Sequence, residues 1–160
     1  WAFYPHTNDD LITVGVYLED CFEENGPLQV IPKSHKKKIY NHHNKNKEFV
    51  GKICEKINLK NKKSLIGKAG TVTFHHVRTV HGSGLNLKNS KRPLMLFGYT
   101  NTDAWPLTSD ASVNPNEDFE KYNKCIIVGK KTLIPRFEKV PLIIPLPKKS
   151  VSIYQLQKTK

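Results

Sequence analysis

The sequence predicts a mainly β domain, an antiparallel sandwich or barrel with one helical insert. Three observations predict it. Short segments rich in β-branched and aromatic residues recur along the first hundred positions, turn signals separate them, and a single stretch carries helical spacing instead.

Leu11 to Leu18 (Leu-Ile-Thr-Val-Gly-Val-Tyr-Leu) is β-branched and apolar, which predicts a strand. The acidic segment Glu19 to Gly26 closes on Asn25-Gly26, a strong turn signal. A second short strand runs Leu28 to Ile31 and stops at Pro32, because proline cannot donate to a strand ladder. From Lys33 to Ser64 the chain is basic and polar. Within it, Lys47 to Ile57 sets Phe49, Val50, Ile53 and Ile57 near helical spacing, which predicts one amphipathic helix. Strand character returns at Thr71 to His76, after Ala69-Gly70, and again at Pro93 to Thr100. A polar loop, His81 to Lys91, lies between them. Past Trp105, prolines 115, 135, 141, 145 and 147 predict an extended tail. Residues 1–160 therefore read as one domain, with 108–160 a proline-punctuated extension.

Lys+Arg number 26 against Asp+Glu 14, a formal charge of +12. The excess is lysine, in short clusters at Lys36 to Lys38, Lys60 to Lys63, Lys130–Lys131 and Lys148–Lys149. Arginine occurs only at Arg78, Arg92 and Arg136. Without an organised arginine or aromatic face, this is a solvated surface rather than a nucleic-acid footprint. No apolar run reaches the length of a membrane span. Cys21, Cys54 and Cys125 are odd in number and widely spaced, with no CxxC, which speaks against a zinc site or disulfide framework and for a reducing intracellular, cytoplasmic compartment.

Seven histidines stand in the chain. His75 and His76 end one predicted strand; His81 opens His81-Gly82-Ser83-Gly84, and Arg92 follows eleven residues later. On neighbouring strands an imidazole and a guanidinium can enter one cavity, the first offering a nitrogen to a metal and the second a fork to a carboxylate. Ser83 adds a hydroxyl. Of His75 and His76, which alternate on a strand, at most one looks into such a cavity. His35 reads as a structural loop histidine, and His42-His43 as solvent-facing. Asn8-Asp9-Asp10 reads as a loop or strand-entry element. Phe3, Tyr4 and Trp105 read as packing before they read as pocket lining.

Three segments occur in one order: Trp1-Ala2-Phe3-Tyr4-Pro5-His6-Thr7-Asn8-Asp9-Asp10; Glu24-Asn25-Gly26-Pro27-Leu28-Gln29-Val30-Ile31-Pro32-Lys33-Ser34-His35; and Gly70-Thr71-Val72-Thr73-Phe74-His75-His76 leading to His81-Gly82-Ser83, with Asn86 and Arg92 after it. Over Trp1 to Leu107 this resembles the phytanoyl-CoA dioxygenase family, and its small-molecule hydroxylases more than its acyl-CoA enzyme. The resemblance implies a double-stranded β-helix (jelly roll, cupin-like), N-terminally incomplete, and Fe(II) held by a His-x-Asp/Glu…His triad. By position His81 is the distal iron ligand, Arg92 the partner of the 2-oxoglutarate C5 carboxylate, and Ser83 a helper to it. The implied reaction converts 2-oxoglutarate to succinate while hydroxylating a small organic substrate, with ascorbate a candidate additional reductant.

One element departs from the pattern. No His-x-Asp or His-x-Glu occurs anywhere in the 160 residues. In the family that pair directly precedes the aromatic stretch that here opens at Trp1, so both proximal ligands are expected upstream of Trp1 and the chain is expected to be a fragment. The competing expectation is a jelly-roll binding module that has lost its metal site.

Overall fold

The structure, a computed structural model, describes residues 1–108, 115–139, 142–145 and 152–158. Prolines 141 and 147 and the Lys148–Lys149 cluster lie outside the described residues. The chain divides into two compact units. One comprises Asp10–Ile39 and Lys56–Thr100; the other comprises Trp1–Asp9, Tyr40–Glu55 and Asn101–Lys160.

The first unit is mainly β, with two antiparallel three-stranded sheets. Strand β1 (Leu11–Tyr17) is central in one, flanked by β4 (Val72–His76) and β6 (Leu94–Thr100). Strand β2 (Leu28–Val30) is central in the other, flanked by β3 (Lys63–Leu65) and β5 (His81–Ser83). Register decides which residues share a face. Thr13 lies opposite both His75 and Gly98, Gly15 opposite Thr73 and Leu96, and Tyr17 opposite Leu94. That face buries Leu11 and Tyr17. On the other face Val72, Phe74 and Phe97 are 47, 67 and 42% exposed. Strand β1 is thus apolar on both faces, which is why its sequence reads as a continuous run rather than an alternation.

The two sheets meet through side chains. Tyr17, 1% exposed, donates its hydroxyl to the Leu65 carbonyl, and His75 packs on His81 with ring centroids 5.0 Å apart. The Asn25-Gly26 turn forms as expected and has a positional task. Gly26 adopts φ +65°, and a Cβ there would stand 2.5 Å from the Gly84 carbonyl oxygen. Only glycine meets both demands. Asn25 accepts a bond from the Phe22 N–H (3.0 Å) and donates to Ser90 Oγ (3.0 Å), and Leu87 N–H donates to the Glu24 carbonyl (2.9 Å). The turn therefore holds the loop that follows His81-Gly82-Ser83.

Two local expectations for this unit need correction. The polar loop His81 to Lys91 begins as strand β5, because His81-Gly82-Ser83 pairs with Val30-Gln29-Leu28. Strands β5 and β6 also belong to different sheets rather than lying side by side.

In the second unit the helix expected over Lys47 to Ile57, the helical insert of the predicted fold, is absent. Lys47 and Gly51 take positive φ values of 63° and 64°, which breaks a right-handed helix. The Asn44 side chain accepts the N–H groups of Asn46 and Glu48, both at 3.0 Å, offering the backbone a turn instead. The result is a loop in which His43 bridges Phe49, with Phe49 and Val50 buried. His43, expected in solvent, is 6% exposed, and its Nε2 lies 3.2 Å from the Ile144 carbonyl. The tail is also not extended throughout. Pro115 opens helix α1 (Pro115–Asn123), a first-turn position that suits a residue lacking N–H, and α2 spans Ile153–Lys158. Asn8, fully buried, ties this unit together by donating to the carbonyls of Asp103 (3.0 Å) and Arg136 (3.1 Å).

Candidate active site

His81, Ser83 and Arg92, singled out from sequence, all lie in the first unit. His81 and Ser83 are two apart on β5, so their side chains leave the strand on one face. Arg92, half-buried just ahead of β6, extends its Nη2 to 3.4 Å from Ser83 Oγ. The guanidinium and the hydroxyl thus present donors to one place, the arrangement a carboxylate accepts. His81 Nδ1 lies 2.7 Å from the Thr79 carbonyl. That contact favours a proton on Nδ1 and leaves Nε2 with its lone pair, the state in which an imidazole ligates a metal.

Behind Arg92 sits a buried pair, Tyr17 and Cys21, both within its electrostatic reach. Burial pushes the Tyr17 phenol and the Cys21 thiol above their ordinary values, and the Arg92 charge works against both shifts. Both therefore stay protonated at neutral pH.

Of the paired histidines, His75 is the one that reaches the site. Its ring packs on His81, whereas His76 packs on His35, centroids 5.1 Å apart, with its Nδ1 accepting the Arg78 N–H at 3.2 Å. Burial, then the neighbouring His81, holds the His75 imidazole down to about 4, so it is neutral at physiological pH. Its Nδ1 is buried with no hydrogen-bond partner. Sequence reasoning allowed one of the two residues to face inward; only the strand register says which.

Phe3 and Trp105 belong to the other unit and pack there. Phe3 meets Phe49 edge-on at 5.1 Å, and Trp105 stacks on Phe119 at 5.4 Å. Tyr4 is 67% exposed. Asn8-Asp9-Asp10 forms the loop that enters β1, as expected, and Asn8 there is also a buried tie. Among the described residues no three His, Cys, Asp or Glu side chains come together where a metal ion could be held. Arg92 and Ser83 offer donors of the kind a carboxylate accepts, whereas a metal at His81 would find an incomplete donor set among the described residues.

The phytanoyl-CoA dioxygenase (PhyH) profile matches residues 1–94. The chain belongs to the phytanoyl-CoA dioxygenase family. It is 40% identical over 156 residues to a probable alpha-ketoglutarate-dependent hypophosphite dioxygenase of Stutzerimonas stutzeri, covering 92% of this chain and 51% of that protein. It is 28% identical over 135 residues to L-proline trans-4-hydroxylase of Streptomyces griseoviridis, covering 67% of this chain and 49% of that one. The chain thus spans about half the length of the curated relatives it matches. Membership carries the chemical class, Fe(II)- and 2-oxoglutarate-dependent oxygenases, an oxidoreductase class whose relatives here are named for small-molecule substrates. Among the described residues no helix is long and apolar enough to cross a membrane.

Proposed function

We propose that this chain is the cosubstrate-binding half of a 2-oxoglutarate-dependent dioxygenase that oxidises a small molecule, and that its two sheets are part of a jelly roll. The single observation supporting the assignment of residues is the approach of Arg92 to Ser83, on the strand that also carries His81. In this reading Arg92 grips the 2-oxoglutarate C5 carboxylate, Ser83 donates to it, and His81 Nε2 is one of the metal ligands. No other described residues complete a three-donor set around it. Fe(II), when bound, supplies the redox chemistry that couples dioxygen to loss of CO2 from the cosubstrate. Overall, substrate, dioxygen and 2-oxoglutarate give oxygenated substrate, succinate and CO2.

This chain's own residues orient rather than react. The fork of Arg92 fixes one end of the cosubstrate, and the Thr79 carbonyl fixes the His81 ring. Hypophosphite and L-proline, the compounds named for the relatives, are the first substrates to try. In the full-length protein, His81→Ala is expected to abolish iron-dependent succinate release; turnover at the normal rate would remove His81 from the ligand set.

A second reading, a jelly-roll binding module without a metal, is favoured by the absence of a three-donor cluster among the described residues. It predicts that the full-length protein takes up no Fe(II) and releases no succinate.

A further inference from the structure

We propose that β6 is an interior strand of the full-length protein. A strand from the part of the parent outside these 160 residues pairs with its free edge, and the same part covers the apolar outer face of the β4-β1-β6 sheet. The direction of the backbone groups defines the edge. The Leu18 N–H donates to the Pro93 carbonyl at 3.3 Å, one position beyond the Tyr17–Leu94 pair. Hydrogen-bonded pairs alternate along an antiparallel ladder. Met95, Phe97 and Tyr99 therefore turn their backbone groups toward β1, and Leu94, Leu96 and Gly98 turn theirs to the free edge. Among the described residues no strand lies beyond that edge. Folded proteins blunt exposed edges with charge, proline, a bulge or shortness. Strand β6 has none of these: its seven residues, Leu-Met-Leu-Phe-Gly-Tyr-Thr, are uncharged and pair with β1 without interruption. Strand β3, by contrast, spans three residues and carries Lys63.

The outer face continues from that edge. On it Val14 lies between Phe74 and Phe97, and Val16 between Val72 and Met95. Phe74 is 67% exposed and Met95 45%, and no Asp, Glu, Lys or Arg interrupts the face. A contiguous apolar patch marks contact with more protein, and a sheet's apolar face is stable when another element buries it. The chain spans about half the length of its curated relatives, so a parent of their length holds about as much chain again. A second copy of this chain is the weaker occupant. It would bring another formal +12 against the first, whereas a segment of the same polypeptide arrives at high effective concentration.

The test is amide hydrogen exchange at single-residue resolution on the full-length protein, with sedimentation velocity on the same sample. The N–H groups of Leu94, Leu96 and Gly98 are expected to exchange about a thousandfold or more slowly than in an unstructured chain, as do buried, bonded amides. Met95, Phe97 and Tyr99, bonded to β1, are the internal reference, and the two sets should agree within about tenfold. The protein is expected to sediment as a monomer and to keep this protection on dilution. Phe74→Ala, nearly neutral for a side chain left in water, is expected to lower the urea midpoint by about 1 M. Three results would overturn the proposal: exchange of Leu94, Leu96 and Gly98 near the unstructured rate, protection confined to a dimer and lost on dilution, or an unmoved midpoint in Phe74→Ala. None of these readouts uses iron or 2-oxoglutarate. Succinate release by a protein with an open β6 edge would sink this proposal and keep the dioxygenase reading, and a protected edge without succinate release would do the reverse.

Discussion

Replacing Arg92 with alanine in the full-length protein is expected to raise the 2-oxoglutarate concentration needed for half-maximal succinate release by roughly 30- to 1000-fold. The magnitude follows from the geometry. A guanidinium fork offers a carboxylate two charge-assisted hydrogen bonds, each worth roughly 1.5–3 kcal/mol. Arg92 is only half-buried, so solvent replaces part of the loss, and about 2–4 kcal/mol remains. At about 1.4 kcal/mol per factor of ten, that is the quoted range. Arg92→Lys keeps the charge without the fork and should fall between alanine and wild type. Ser83→Ala removes one neutral donor and should cost about 2- to 10-fold. The assay is succinate release at varied 2-oxoglutarate with fixed substrate and iron. An unchanged cosubstrate requirement in Arg92→Ala would refute the assignment, and so would a Ser83→Ala effect larger than that of Arg92→Ala.

Two predictions concern the frame around the site. Gly26→Ala should destabilise the protein by roughly 2–4 kcal/mol in urea denaturation, because φ is +65° and the added carbon would meet the Gly84 oxygen at 2.5 Å; a loss under 0.5 kcal/mol would show that the turn does not hold the His81 loop. Tyr17→Phe should cost about 1 kcal/mol at neutral pH through its lost bond to Leu65, and should also change the alkaline limb of stability. Tyr17 and Cys21 are both raised, from 10.0 and 9.0. The unfolded chain therefore loses these protons first, and the stability they contribute is present below about pH 9 and falls as pH rises above it. Urea midpoints between pH 8 and 11 should fall less steeply in the variant, and parallel curves would show that Tyr17 ionisation plays no part.

How much of this was legible beforehand depends on local chemistry. Strands β1 and β6 were plain because they are apolar on both faces, and Pro32 and Asn25-Gly26 marked real boundaries. Strands β3 and β5 were not, since Lys63-Ser64-Leu65 and His81-Gly82-Ser83 carry no β-branched residue and are made strands by pairing with β2. Phe49, Val50, Ile53 and Ile57 imitate a helix, yet Asn44 and the left-handed Lys47 and Gly51 close a loop that buries Phe49 and Val50 against other partners. At the site, His81, Ser83 and Arg92 were readable as a motif. That His75 rather than His76 packs on His81 was not, because a one-residue change of register would have turned His76 inward instead.

The proposed site requires that His81 and Arg92 act on one bound iron–2-oxoglutarate unit. Anaerobic addition of Fe(II) and 2-oxoglutarate to the full-length protein should produce a visible metal-to-ligand charge-transfer absorption. That absorption should be lost in His81→Ala and recovered in Arg92→Ala only at much higher 2-oxoglutarate. Equal absorption in wild type and His81→Ala at the same cosubstrate concentration would contradict it.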